Sequence, residues 1–84
     1  MRNKLKRKRA KIDLIDKKIA RLLAGRFVLA LSLKKLKKRV VDRAREKEVL
    51  SKAQKNAGRA AFRKPVQKIF EVIIRQTRRL QVRK

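Results

Sequence analysis

Apolar residues in the first half of the chain follow a heptad repeat, in which positions three and four residues apart fall on one helix face. The apolar residues in this register are Leu5, Ile12, Ile15, Ile19, Leu22, Leu29, Leu33, Leu36 and Val40. Such a repeat is typical of a helix that packs along a single stripe. It predicts a first helix over residues 4–38, in which Gly25 costs about 1 kcal/mol relative to alanine.

Two shorter periodic stretches follow and predict two more helices. The second stretch contains Val49, Leu50 and Ala53 and stops near residues 56–58, where Asn-Ala-Gly is a suitable C-cap. The third contains Val66, Ile69, Phe70, Ile73, Ile74 and Leu80. Pro65 is expected in the first turn of this helix, after a linker over residues 59–64. With two glycines, one proline and no strand-like alternation, the sequence predicts an all-α fold of three helices.

The amino-acid composition limits the classes of function that the chain can have. The 84 residues, expected to form one domain over 1–84, include 30 Lys and Arg but only six Asp and Glu, a net charge of +24. That balance is typical of nucleic-acid binders. A hydrophobic share of 43% is nevertheless too high for a basic disordered tail, and the aromatics are three Phe, too few for a base-stacking platform.

The missing residue types exclude several chemistries. Without Cys or His, the chain has no disulfide scaffold, no Cys- or His-ligated zinc and no His general base. The longest uncharged run, residues 27–33, is too short to span a bilayer, and no segment resembles a signal peptide. We therefore expect a cytoplasmic protein that needs no metal.

Polar residues interrupt the apolar stripes of all three predicted helices. They are Arg9, Arg26 and Lys37 on the first, Asp42, Arg45 and Glu46 on the second, and Thr77 and Gln81 on the third. Any single one is ordinarily a snorkelling or salt-bridged residue at the edge of a seam. Eight together indicate a polar pocket enclosed by helices, because a core-facing charge is costly unless it is paired or bound. Its Arg and Lys residues suit a small dianion.

The spacing on the first helix constrains the assembly. Arg9 and Lys37 are 28 residues apart, or about 42 Å along a helix, so one chain cannot bring both to one small ligand. An antiparallel partner helix would bring its own Arg9 towards Arg26 and Lys37. A pocket that uses all three predicts an intertwined homodimer with two sites.

These residues occur in segments that resemble the small all-helical class of chorismate mutases. Residues 11–16 and 22–26 resemble the first helix of that family, and residues 42–50 resemble its second-helix motif, Asp-Pro-x-Arg-Glu-x-x-x-Leu. Residues 69–74, with Thr77, Leu80 and Gln81, resemble its third helix. The similarity extends over roughly residues 5–82. It implies the rearrangement of chorismate to prephenate, a step of aromatic amino-acid synthesis, without cofactor or nucleophile.

The resemblance also implies roles for the polar residues in catalysis. Lys37 and Gln81 would stabilise the negative charge that develops on the ether oxygen. Arg26 would bind a carboxylate, and Glu46, helped by the backbone near Asp42, would accept the ring hydroxyl.

The remaining positions would hold the substrate. Arg9 of the partner subunit would bind a carboxylate, and Lys37 would contact one as well. Arg45 would support the carboxylate and hydroxyl region, and Thr77 could hydrogen-bond a carboxylate.

The chain departs from the family pattern in its link and its surface. Only residues 38–41 separate Lys37 from Asp42, and Arg43 replaces the usual proline. The first two helices are therefore joined either by a tight turn or as one continuous helix with altered topology. Four of the six acids fall on motif positions: Asp13, Asp16, Asp42 and Glu46. This distribution suggests a positively supercharged or otherwise engineered variant.

Other functions fit parts of the sequence. A highly basic helical nucleic-acid-binding protein explains the charge but not the polar residues on inner stripes. A cationic amphipathic membrane binder and a designed bundle without activity are weaker alternatives. The basic surface predicts nonspecific nucleic-acid or polyanion binding even if the pocket is catalytic.

Overall fold

The computed structural model describes residues 2–36 and 42–82 and confirms the all-α prediction. Its three helices are α1 (Arg2–Lys34), α2 (Arg43–Asn56) and α3 (Ala60–Val82). The helix α3 lies centrally, since it packs against both α1 and α2. No helix in the described part of the chain combines the length and hydrophobicity needed to cross a lipid bilayer.

The helix α1 ends earlier than its heptad pattern predicts. It stops at Lys34 rather than residue 38, and the amide of Leu36 donates to the carbonyl of Leu33 at 2.9 Å in a closing turn. Asp42 then caps α2, because its side chain accepts a 3.0 Å hydrogen bond from the amide of Arg45. The alternative of one continuous helix was therefore wrong: Asp42 is in an extended conformation that starts a new helix. Residues 37–41 lie outside the described residues.

The connection between α2 and α3 is tighter than expected. The predicted C-cap is confirmed, since Gly58 has a φ of 80° and donates its amide to the carbonyl of Lys55 at 3.3 Å. The six-residue linker over 59–64 was wrong, because α3 already begins at Ala60. Pro65 consequently lies inside the helix, in its second turn. There it lacks the amide that would donate to the carbonyl of Ala61, and its ring crowds the same carbonyl, so this turn of α3 is less stable than an all-alanine turn would be.

Within residues 2–36 and 42–82, few side chains are buried. They are Ala53 on α2 with Ile73, Ile74 and Gln81 on α3. By contrast, every residue from Arg2 to Leu22 of α1 is exposed. Most of the heptad stripe is exposed as well, both in this segment and beyond it: Leu5, Ile12, Ile15, Ile19, Leu22, Leu29, Leu33 and Leu36. An apolar stripe of this length left in water marks an interaction surface.

Candidate active site

A cavity of about 320 Å³ lies where the C-terminal part of α1 meets α2 and α3. Six of the eight predicted site residues line it: Arg26, Asp42, Arg45, Glu46, Thr77 and Gln81. Its apolar lining is Leu29, Ala30, Leu33, Val49 and Ile74. Residues up to 55 positions apart in the sequence thus surround one space, as the polar positions on the inner stripes predicted.

Two linked hydrogen bonds from α3 hold the side chain of Arg26 in place. The hydroxyl of Thr77 donates to the carbonyl of Ile73 at 2.7 Å, one turn earlier in the same helix. That bond orients the hydroxyl so that its oxygen accepts a 3.0 Å hydrogen bond from Nη1 of Arg26. Thr77 therefore positions the guanidinium at the cavity wall.

The environment of Arg26 favours an anion. Burial lowers the pKa of its guanidinium below the ordinary value, and the positive charge of Arg45 lowers the pKa further. Arginine nevertheless stays protonated in proteins. A carboxylate in the cavity would relieve both effects, because it would solvate the partly buried charge and offset the repulsion between the two cations.

Gln81 is the most deeply buried polar side chain of the described residues, with 3% of its surface exposed. Its Nε2 donates to the carbonyl of Ala30 on α1 at 2.8 Å. A primary amide carries two hydrogens, so this bond fixes the group and leaves the second for an acceptor in the cavity. Gln81 is thus a preorganised neutral donor.

Comparison with known protein families assigns the chain to one of them. The model of one family, chorismate mutase type II, matches residues 8–82. The chain belongs to this family. The matched segment includes all eight predicted site residues and runs through all three helices. No curated protein and no solved structure matches the chain. The resemblance to the all-helical chorismate mutases is therefore confirmed at the level of the family.

Within this chorismate mutase fold, Glu46 has a partner that the sequence analysis missed. The guanidinium of Arg78 donates from Nε to Glu46 Oε2 at 2.8 Å and from Nη2 to Glu46 Oε1. Arg78 also lines the cavity. The one available signal was its spacing, since Arg78 follows Phe70 and Ile74 by eight and four residues on the apolar side of α3. Among 30 Lys and Arg residues, that signal was weak.

Asp42 and Arg45 have contacts that also shape α2. Asp42 caps the helix through the amide of Arg45, as described above. The Arg45 side chain, which is exposed, pairs with Glu48 one turn later. Arg45 therefore borders the cavity from an exposed position, whereas Arg26 occupies a partly buried one.

Of the two remaining predicted residues, the structure describes Arg9. Arg9 lies on an exposed turn of α1, 17 residues or about 25 Å from Arg26 along the helix. Within one chain it cannot reach the cavity. Lys37 lies outside the described residues.

Proposed function

We propose that this chain is a chorismate mutase that converts chorismate to prephenate. The observation that supports it most is the cavity of a chorismate mutase type II family chain, which combines Arg26 on α1 with Glu46 on α2 and Gln81 on α3. The reaction breaks one C–O bond and forms one C–C bond within one molecule, without proton transfer to the protein. The protein needs only to hold the reactive conformer and stabilise the charge that develops.

The cationic groups of the cavity suit the two carboxylates of chorismate. Arg26, fixed by Thr77, would bind one carboxylate with charge-assisted hydrogen bonds. Arg45 would strengthen the local positive field from its exposed position. Holding both carboxylates restrains the flexible enolpyruvyl arm near the ring, so that the two reacting carbons meet, which is a positioning effect.

The ether oxygen would be stabilised by neutral and charged donors. As the C–O bond breaks, this oxygen gains negative charge, and a donor already aimed at it lowers the barrier without reorganisation. Gln81 supplies such a donor, because its amide is buried and anchored to Ala30. Lys37 is proposed as the cationic donor at the same oxygen.

The ring hydroxyl would donate a hydrogen bond to the carboxylate of Glu46. Both oxygens of that carboxylate accept hydrogen bonds from Arg78, yet each has a second lone pair. Arg78 therefore keeps the carboxylate in place without using all its acceptor capacity. Asp42, which caps the first turn of α2, also lines this side of the cavity.

We propose that the complete site needs a homodimer. The exposed apolar stripe of α1, which includes Ile12, Ile15 and Ile19, supplies a surface for a second copy. An antiparallel α1 of the partner would carry its Arg9 to the cavity of this chain. The closed assembly would be isologous, with two equivalent sites.

The test is the loss of chorismate absorbance in the ultraviolet with purified protein. The wild-type chain is compared with Arg26→Ala and with Arg21→Ala, a matched control on the same helix that removes the same charge from an exposed position outside the cavity. We expect saturable turnover in the wild type and in Arg21→Ala. Arg26→Ala should lose at least about a hundredfold in kcat/KM, or about 2.7 kcal/mol of transition-state stabilisation.

Circular dichroism of all three proteins makes the outcome decisive. A helical wild-type protein that consumes no chorismate at any salt concentration would refute the proposal. Equal losses in the two variants would show that activity follows the total charge rather than the Arg26 site.

A further inference from the structure

The outer side of α3 carries a line of four cations, defined here as the α3 stripe: Lys64, Lys68, Arg75 and Arg79. All four are exposed. Their spacings of four, seven and four residues place them within about 60° of one another around the helix and spread them over about 22 Å. The stripe therefore presents regularly placed positive charge along a straight, rigid element.

The α3 stripe is separate from the candidate active site. The buried residues of α3, Ile73, Ile74 and Gln81, lie on the opposite side of the helix, about 150° away. None of the four cations lines the 320 Å³ cavity. Catalysis in the cavity therefore does not explain why these four cations are aligned on α3.

Little negative charge offsets the stripe. Glu71 Oε1 lies 3.9 Å from Lys68 Nζ, and Glu71 Oε2 accepts a 3.2 Å hydrogen bond from the side-chain Nε2 of Gln67. Lys68 is exposed and Glu71 half-buried, and an ion pair at this distance near the surface adds little to stability. Elsewhere, Glu46 pairs with Arg78 and Glu48 with Arg45, so these carboxylates are already occupied. The α3 stripe thus keeps a strong positive field.

We infer that the α3 stripe binds double-stranded nucleic acid through its phosphate backbone, without sequence preference. One strand of a duplex carries a phosphate every 3.4 Å along its axis, so a 22 Å line of cations spans about six of them. Phe62, the exposed aromatic of α3, lies about 130° around the helix from the stripe, beside Arg59 at 5.7 Å. The stripe therefore provides charge contacts without base stacking, which favours a duplex over a single strand.

The same face is poorly suited to a membrane. Interfacial helices place large apolar side chains beside their cations so that these enter the acyl region. Beside the stripe, the large exposed apolar side chains of α3 are two valines, Val72 and Val82, while Phe62 and Ile69 point more than about 100° away.

The test measures binding of a fluorescein-labelled 20-base-pair duplex by anisotropy across a salt series. The stripe variant carries Lys64→Gln, Lys68→Gln, Arg75→Gln and Arg79→Gln together. Each phosphate contact contributes about 0.9 to the slope of log K against log salt. We expect the magnitude of this slope to fall by about 3.6 in the variant, and its binding at a fixed moderate salt concentration to be more than about tenfold weaker.

A matched control removes the same four charges from scattered exposed positions: Lys6→Gln, Lys17→Gln, Lys35→Gln and Lys55→Gln. Its slope should change by less than about 1. Equal losses in the two variants would overturn the assignment to α3, because binding would then follow net charge alone. No duplex binding by the wild type at low salt would overturn it as well.

Two further measurements separate this inference from other outcomes. Phosphatidylserine vesicles replace the duplex in one series, and stripe-dependent binding of vesicles but not duplex would refute the nucleic-acid assignment in favour of a membrane. Chorismate turnover is measured on the stripe variant and should match the wild type. If the wild type has no chorismate turnover, the proposed mutase activity is refuted, while the result for duplex binding still stands.

Discussion

Arg78 on α3 donates two parallel hydrogen bonds to Glu46 on α2, and the pair joins these helices at the wall of the cavity. Hydrogen bonding to Glu46 raises the pKa of the Arg78 guanidinium, even though slight burial acts in the opposite direction. The fork of an arginine sets the plane of a carboxylate as well as its position. Arg78 is thus a positioning residue for the group proposed to accept the ring hydroxyl.

Replacing Arg78 with Met should free Glu46 to rotate while keeping the apolar stem. We expect kcat/KM for chorismate to fall about tenfold, or about 1.4 kcal/mol. The free energy of unfolding should fall by less than about 1 kcal/mol, because the pair is partly exposed. Steady-state kinetics and urea unfolding measure the two effects separately.

The neighbouring substitution Arg79→Met is the control and should leave turnover unchanged. Arg78→Lys should recover part of the lost activity, since a lysine restores the charge but not the fork. A kcat/KM for Arg78→Met equal to that of the wild type would contradict the positioning role.

Gln81→Leu should remove the proposed donor to the ether oxygen with little change in volume. We expect kcat to fall by about a hundredfold or more, as for other donors that act on developing negative charge. The matched variant Gln76→Leu changes an exposed glutamine of the same helix and should have normal turnover. If the two variants have the same kcat, Gln81 plays no part in transition-state stabilisation.

Subunit complementation tests whether Arg9 acts across a dimer. Arg9→Ala and Arg26→Ala are each expected to be inactive. A one-to-one mixture that is unfolded and refolded together should regain about one quarter of wild-type activity, because half of the dimers are mixed and each has one intact site. Activity absent from the mixture, with mixed dimers shown by native mass spectrometry, would rule out the shared site.

The two glycines should respond oppositely to alanine. Gly25 lies inside α1 with open space around its Cβ position, so Gly25→Ala should stabilise the fold by about 0.5–1 kcal/mol. Gly58 has a φ of 80°, so Gly58→Ala should cost about 1–2 kcal/mol through left-handed strain. Thermal unfolding should show shifts of opposite sign. A destabilising Gly25→Ala would instead indicate that a second copy of the chain packs closely at that position.

Stability should increase with ionic strength. A net charge of +24 on 84 residues is self-repulsive, and the screening length falls from about 30 Å at 0.01 M to about 10 Å at 0.1 M salt. The melting temperature should therefore rise over this range. The scattered four-lysine variant, with lower net charge, should show a smaller rise, and a salt-independent melting temperature would argue against repulsion as the main effect.

The sequence predicted the residues of the cavity better than the ends of the helices. Arg26, Thr77 and Gln81 stood out because each is a polar residue on an apolar stripe, and periodicity fixes the side of a helix accurately. Helix ends depend on local capping, which the apolar stripe does not encode. Asp42 is the N-cap of α2, so the first two helices are not one continuous helix. Pro65 is in the second turn rather than the first because α3 begins at Ala60, six residues before its apolar stripe starts at Val66.

Arg78 could not be predicted because its role depends on which helix packs opposite it. Its partner Glu46 is 32 residues away, and no spacing rule within one helix relates the two. The same holds for the bond from Gln81 to the carbonyl of Ala30, a backbone acceptor that has no sequence signature.

The exposed N-terminal two-thirds of α1 has a consequence for how the protein forms. Every residue from Arg2 to Leu22 is exposed, and most of the stability of a helix in a protein comes from the packing of its apolar face. Amide hydrogens in this segment should therefore exchange quickly in dilute protein and slowly once a second copy covers the stripe. Folding of this segment and association would be one concentration-dependent event, so the proposed chorismate mutase activity per subunit should fall on dilution.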